Sequence, residues 1–145
     1  MSPAPFQDPV ELMSHRKNAL LLDEILHADA NRLEARLVVR SGTSFSDSSG
    51  NLPAWVGPEI MAQAISALSG WRSLHKRGHL PGIGLLLGIR SYAAPAGDFP
   101  SPGPSKRVSS RSRMRGMSVA LLRDVSSSTN GLSLRARPRL ACCRG

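Results

Sequence analysis

A chain of 145 residues is enough for one domain with a modest core. Its formal charge of +9 sits wholly in residues 101–145, where nine Arg and Lys106 face a single acid, Asp124; residues 1–100 carry nine basic and nine acidic side chains. No apolar run approaches the roughly 18–20 residues of a membrane helix, no positive charge precedes Arg16 as a signal peptide would require, and the adjacent Cys142 and Cys143 fit neither a metal finger nor a secreted disulfide framework, so a cytoplasmic setting is expected.

Residues 1–18 are polar and proline-containing and allow at most one helical turn, around residues 9–13. Residues 19–26 (Ala-Leu-Leu-Leu-Asp-Glu-Ile-Leu) predict a short buried strand. In residues 32–39, Leu33, Ala35 and Leu37 alternate with Arg32, Glu34 and Arg36, the period of a half-buried strand, and residues 28–31 would close a hairpin between the two. Residues 41–52 are turn-formers throughout and predict a loop.

The strongest signal follows. Gly57 as N-cap, Pro58 at the first helical position and Glu59 in the first turn predict a helix start. Ile60, Met61, Ala64, Ile65, Leu68 and Trp71 then recur at helical spacing, with Ala62 and Ala67 widening the apolar surface almost all the way round. Such a helix is enclosed rather than laid on a surface. Arg72, Lys76 and Arg77 complement the dipole at its end and Gly78 terminates it. Residues 58–77 give roughly 30 Å of helix. Residues 82–92 read as a further buried strand. Beyond Pro100, Ser, Arg, Pro and Gly dominate, with short apolar islands at 119–122 and 132–134.

Glu59 is the first chemical candidate. A carboxylate in the first turn of a buried helix is costly to leave charged and unpaired, which suits it to general acid work; the plainer alternative is an acid that complements the dipole at an exposed helix start. Gln63, one turn on, can hydrogen-bond Glu59 or be polar filler. The Gly57 amide, at a helix N-terminus, can face a developing oxyanion, although most helix N-termini do not. His15 sits in Ser-His-Arg-Lys before the first strand, where a histidine is more often a surface residue than a catalytic one. No His or Cys cluster has metal-ligand spacing, and the glycines at 82, 84 and 88 neither follow a strand nor open a helix, so they make no phosphate loop.

Two segments are recognisable as a pair. Ser14-His-Arg-Lys-Asn-Ala-Leu-Leu-Leu-Asp-Glu-Ile25 resembles the His-Arg-x-Pro-x-Leu-Leu-x-Asp opening of hotdog-fold 3-hydroxyacyl-acyl-carrier-protein dehydratases, and Leu52-Pro-Ala-Trp-Val-Gly-Pro-Glu-Ile-Met-Ala-Gln63 resembles the start of their central helix. The Pro-Ala-Trp-Val-Gly form, with Leu86-Leu-Gly-Ile-Arg-Ser-Tyr92, is similar to the branch associated with aryl polyene synthesis. The resemblance covers about residues 10–100. It implies an α+β hotdog fold, an antiparallel sheet around one long helix. It also implies removal of water from a 3-hydroxyacyl thioester carried on the phosphopantetheine of acyl carrier protein, with no metal or other cofactor. Glu59 and His15 would be the catalytic pair; Gly57, Gln63 and Trp55 would serve substrate binding. The implied partners are acyl carrier protein and a second copy or another hotdog dehydratase, with neither nucleic acid nor a membrane span.

Two departures stand out. The better-known dehydratases carry a histidine eight residues before the proline that leads into the helix, where this chain has Phe45; His15 is the candidate to replace it. Residues 101–145 also lose the family's long alternating strands. The division expected is therefore a partial hotdog domain over 1–100 with its sheet incomplete, then a disordered Arg/Ser/Pro-rich tail over 101–145, either a product of a shifted reading frame or a native basic arm. Arginines without interleaved aromatics make a poor nucleic-acid platform. A non-catalytic hotdog subunit that binds acyl carrier protein or a catalytic partner is the alternative function.

Overall fold

The computed structural model describes residues 8–14, 17–81, 97–103, 105–113, 117–124 and 131–136, with side chains through residue 111 apart from Lys17. The lead-in residues form one 3-10 turn, Pro9–Glu11, capped by the Asp8 carboxylate accepting from the Val10 N–H at 2.9 Å. A second 3-10 turn covers Lys17–Ala19, so the first strand, β1, begins later than expected, at Glu24–Ala28. It pairs antiparallel with β2, Arg32–Leu37, through the expected hairpin.

The hairpin turn is built on Asp29, whose carboxylate accepts from the N–H groups of Asn31 and Arg32 at 2.8 and 2.9 Å and from His27 Nε2 at 2.8 Å. The bonds from His27 and then Asn31 hold this carboxyl below the ordinary carboxylate range.

Helix α1 runs Gly57–Arg77. Its C-terminus matches expectation: Gly78 takes the left-handed conformation (φ 76°) and its N–H closes on the Leu74 carbonyl at 2.9 Å. Its N-terminus does not. A 3-10 turn, Ala54–Val56, runs directly into the helix, so Val56 is the N-cap and Gly57 is already helical. Ile60, Met61, Ala64, Ala67 and Leu68 are fully or almost fully buried, as the all-round apolar pattern requires.

Within residues 101–145, three described segments form strands where a disordered tail is expected. β3 (Lys106–Arg113), β4 (Met117–Asp124) and β5 (Gly131–Ala136) continue the sheet in the order β1-β2-β3-β4-β5, every pair antiparallel. The physical reason lies in β3, where Lys106, Val108 and Ser110 are buried and alternate with exposed Arg107 and Arg111. The period-2 signal is present but written in serine rather than leucine. Ser110 pairs with Leu33 and Val108 with Ala35, which puts two small side chains over the helix. The Ser110 hydroxyl donates to the Ala64 carbonyl at 2.9 Å. The strand expected over 82–92 lies outside the described residues.

The sheet covers one side of α1 through β2, β3 and β4. On another side the chain around Leu12 crosses the helix at Gly70 so closely that a Cβ there would fall inside the Leu12 carbonyl oxygen and 2.8 Å from its carbon. Replacing Gly70 with Ala is therefore expected to destabilise the fold by about 1–3 kcal/mol, an overpacking cost. An unchanged thermal midpoint for this variant would show that the segment can shift aside. The Asp29 contribution to stability is complete above the ordinary carboxylate range and is lost as pH falls through its depressed value. Asp29→Asn should consequently lose stability at neutral pH but differ little from wild type in strong acid, measured by denaturant unfolding across pH.

Candidate active site

Glu59 and Gln63 occupy successive turns of α1, four residues apart, and so share one face. Gln63 is completely buried (0% exposed) and each end of its amide is engaged. Its Oε1 accepts from the Leu21 N–H at 2.9 Å, and its Nε2 donates to the Ala19 carbonyl at 2.8 Å and to Glu59 Oε1 at 3.0 Å. Glu59 is half-buried. Its carboxylate is thus held by a side chain that is itself fixed between the helix and the chain leading into β1. The expected Glu59–Gln63 bond is present. The two backbone bonds to residues 19 and 21 were not legible in the sequence, because only the folded chain places them beside Gln63.

The helix start is also pinned. Leu52 and Phe99 form an antiparallel bridge with N–H to carbonyl distances of 3.0 and 2.7 Å, and the Asp98 carboxylate accepts from the Ala54 N–H at 2.7 Å. These contacts set the direction from which the 3-10 turn enters α1. They also correct one expectation. The Gly57 N–H donates to the Ala54 carbonyl within that turn, so it is not a free amide facing an oxyanion. The turn continues into the helix instead of breaking at Gly57, and its hydrogen bonds consume the donor.

Trp55 stands two residues before Gly57, is 64% exposed, and meets the Phe45 ring edge-on with centroids 6.4 Å apart. It lies at the outside of the helix start, and it is not drawn into contact with the Glu59–Gln63 pair by any described bond. Phe45, which holds the position of the missing histidine, packs partly buried against the core. His15 lies outside the described residues; Ala19, four residues further along the chain, is the point at which that segment is tied to Gln63. Lys106 is an inward-facing charged residue that was not legible in the sequence. It is buried on β3 opposite Leu37, with its Nζ 5.7 Å from the centre of the Phe99 ring. A lysine falling on the inward phase of a strand would have been the signal, had the strand been read.

Among the described residues no group of three or more His, Cys, Asp or Glu is gathered, and no helix is long and apolar enough to cross a membrane. Gln63→Leu should leave the Leu21 N–H and the Ala19 carbonyl buried without partners, at about 1–3 kcal/mol for each group. Equilibrium unfolding of this variant checks the value, and a stability equal to wild type would show that water or another group replaces the amide.

Comparison with known proteins speaks for the family and the fold. A family model described as ApeP dehydratase, of the ApeP-like group, matches residues 7–121. The match continues through β3 into β4. The solved dehydratase heterocomplex ApeI:P from Xenorhabdus doucetiae contains a chain 20% identical to this one, with a TM-score of 0.76 and 92% of each chain covered. At that identity the likeness speaks for the fold, which is the hotdog arrangement of one long helix against an antiparallel sheet. No curated protein matches the chain.

Proposed function

The chain belongs to the ApeP-like dehydratase family, and on that premise we propose that it dehydrates a 3-hydroxyacyl thioester borne by acyl carrier protein, in aryl polyene synthesis. The observation that carries this reading is the Glu59–Gln63 pair. A half-buried carboxyl group with one oxygen held by the Gln63 amide is an acid kept in one orientation on a buried helix, as proton transfer to a substrate hydroxyl requires. In the proposed step Glu59 donates a proton to the 3-hydroxyl as the C3–O bond breaks, while His15 removes the proton from C2. The electrons of the C2–H bond form the C2–C3 double bond, and water leaves. The two residues then hold one proton between them, as they did at the outset, on opposite partners, and a transfer through solvent resets them. No part of this step uses the Gly57 amide, which is engaged with Ala54.

A second hotdog subunit is the proposed partner, supported by a fold neighbour that is itself a chain of a dehydratase heterocomplex. That partner also gives weight to a second reading, in which this chain is the non-catalytic member of such a pair. Phe45 at the usual histidine position and the engaged Gly57 amide favour it.

Glu59→Gln decides between the two. The amide keeps an oxygen that can accept from Gln63, so the fold is preserved while the transferable proton is lost. Turnover of a 3-hydroxyacyl thioester to the trans-2-enoyl product should fall by about 10²–10⁴-fold, the usual cost of a missing general acid. Wild-type turnover in this variant would remove Glu59 from the reaction and leave the binding-subunit reading. His15→Ala should likewise lose turnover together with the basic-group limb of the pH–rate profile.

A further inference from the structure

The outer face of the sheet carries charge in an uneven way. Arg32 and Arg36 on β2 each have a carboxylate: Glu34 pairs with Arg32, and Glu24 receives both Arg36 Nε at 3.0 Å and Nη2 at 2.7 Å. On β3, directly beside them, Arg107 is in register with Arg36 and Arg111 with Arg32. Both β3 arginines are exposed, and neither has a hydrogen-bond or ion-pair partner among the described residues. Like charges directly opposite across a ladder are unfavourable, and strands about 5 Å apart bring these guanidinium groups close together. Four guanidinium groups meet two carboxylates, so the surplus is concentrated on Arg107 and Arg111, which lie about 13 Å apart along the strand.

We propose that Arg107 and Arg111 form a docking face for an acidic protein surface, that of the carrier which delivers the acyl thioester. This rests on the dehydratase reading for the identity of the carrier but not for the charge of the face. The surface suits discrete carboxylates rather than a continuous polyanion. Glu24 and Glu34 interrupt the basic field, the arginines of β3 are too widely spaced for successive phosphates of one strand, and the outward positions of β2 and β3 that are described, Arg32, Glu34, Arg36, Arg107, Ser109 and Arg111, include no aromatic ring on which a base could stack. Its start lies close to the catalytic end of the molecule. Lys106, the residue before Arg107, turns inward to Phe99, which bridges Leu52 at the approach to α1.

The test uses the full chain and the double variant Arg107→Glu/Arg111→Glu, with two readouts. One is binding of holo acyl carrier protein by titration at low and at physiological salt; the other is turnover of a carrier-free 3-hydroxyacyl pantetheine thioester, which needs the site but not the face. The expected result is binding weakened about tenfold or more in the variant and by added salt, with carrier-free turnover unchanged. Arg107→Gln/Arg111→Gln should fall between the two. Equal affinity of variant and wild type, no binding by wild type, or parallel loss of binding and carrier-free turnover would each overturn the proposal. Preferential retention of a DNA duplex over the carrier would overturn it as well. Charge-dependent carrier binding by a wild-type chain that turns over no thioester would uphold the face and sink the dehydratase reading instead.

Discussion

A helix that is apolar around most of its circumference cannot lie on a surface, and the rest of this molecule follows from having to enclose one. Burying a side chain the size of Ile60, Met61 or Leu68 contributes about 1.5–3 kcal/mol, so every uncovered side of α1 would forfeit several such terms. Among the described residues, three different covers help to meet the requirement. The sheet supplies β2, β3 and β4, the segment around Leu12 closes over Gly70, and the Leu52–Phe99 bridge fixes the helix start. Each cover brings backbone or hydroxyl groups into a dry interior, where they have to find partners. Ser110 reaches the Ala64 carbonyl, Ser73 donates to the His79 carbonyl at 2.7 Å, and Gln63 serves the chain before β1.

Gln63 shows how enclosure and chemistry become one problem. Residues 19–21 precede β1, and the amide of Gln63 accepts from one of their backbone groups and donates to another. Its remaining N–H is directed to Glu59. The orientation of the Glu59 carboxylate is therefore tied to the docking of a segment more than forty residues earlier in the chain. A carboxylate fixed in this way needs no rigid loop of its own, because the helix that carries it is itself largely buried.

What the sequence made legible was whatever depends on local spacing. The helix, its glycine stop, the hairpin and the Glu59–Gln63 adjacency are all written within a few residues of one another. Two kinds of information were not. Strand β3 alternates buried and exposed positions, but the small Val108 and the polar Ser110 do not read as a buried stripe, and the abundance of arginine masks the pattern further. The small residues of β3 fit because the helix side that Ser110 meets, at Ala64, is itself small. The second kind is contact at a distance. Nothing near Gly57 reveals that Ala54 will take its N–H, since that depends on whether the chain breaks or coils on entering the helix, and the choice is fixed by Asp98 and Phe99 far downstream.

The crossing at Gly70 constrains any relative of this protein. Position 70 lies on a helix turn that would tolerate, and on helix propensity alone would prefer, alanine. Here the missing methyl group is the passage through which the chain near Leu12 runs. A homologous chain with a side chain at that position must either carry its N-terminal segment along another route over the helix or cover that side with something else. The residue at 70 thus reports, from a single letter, whether a related sequence can share this path.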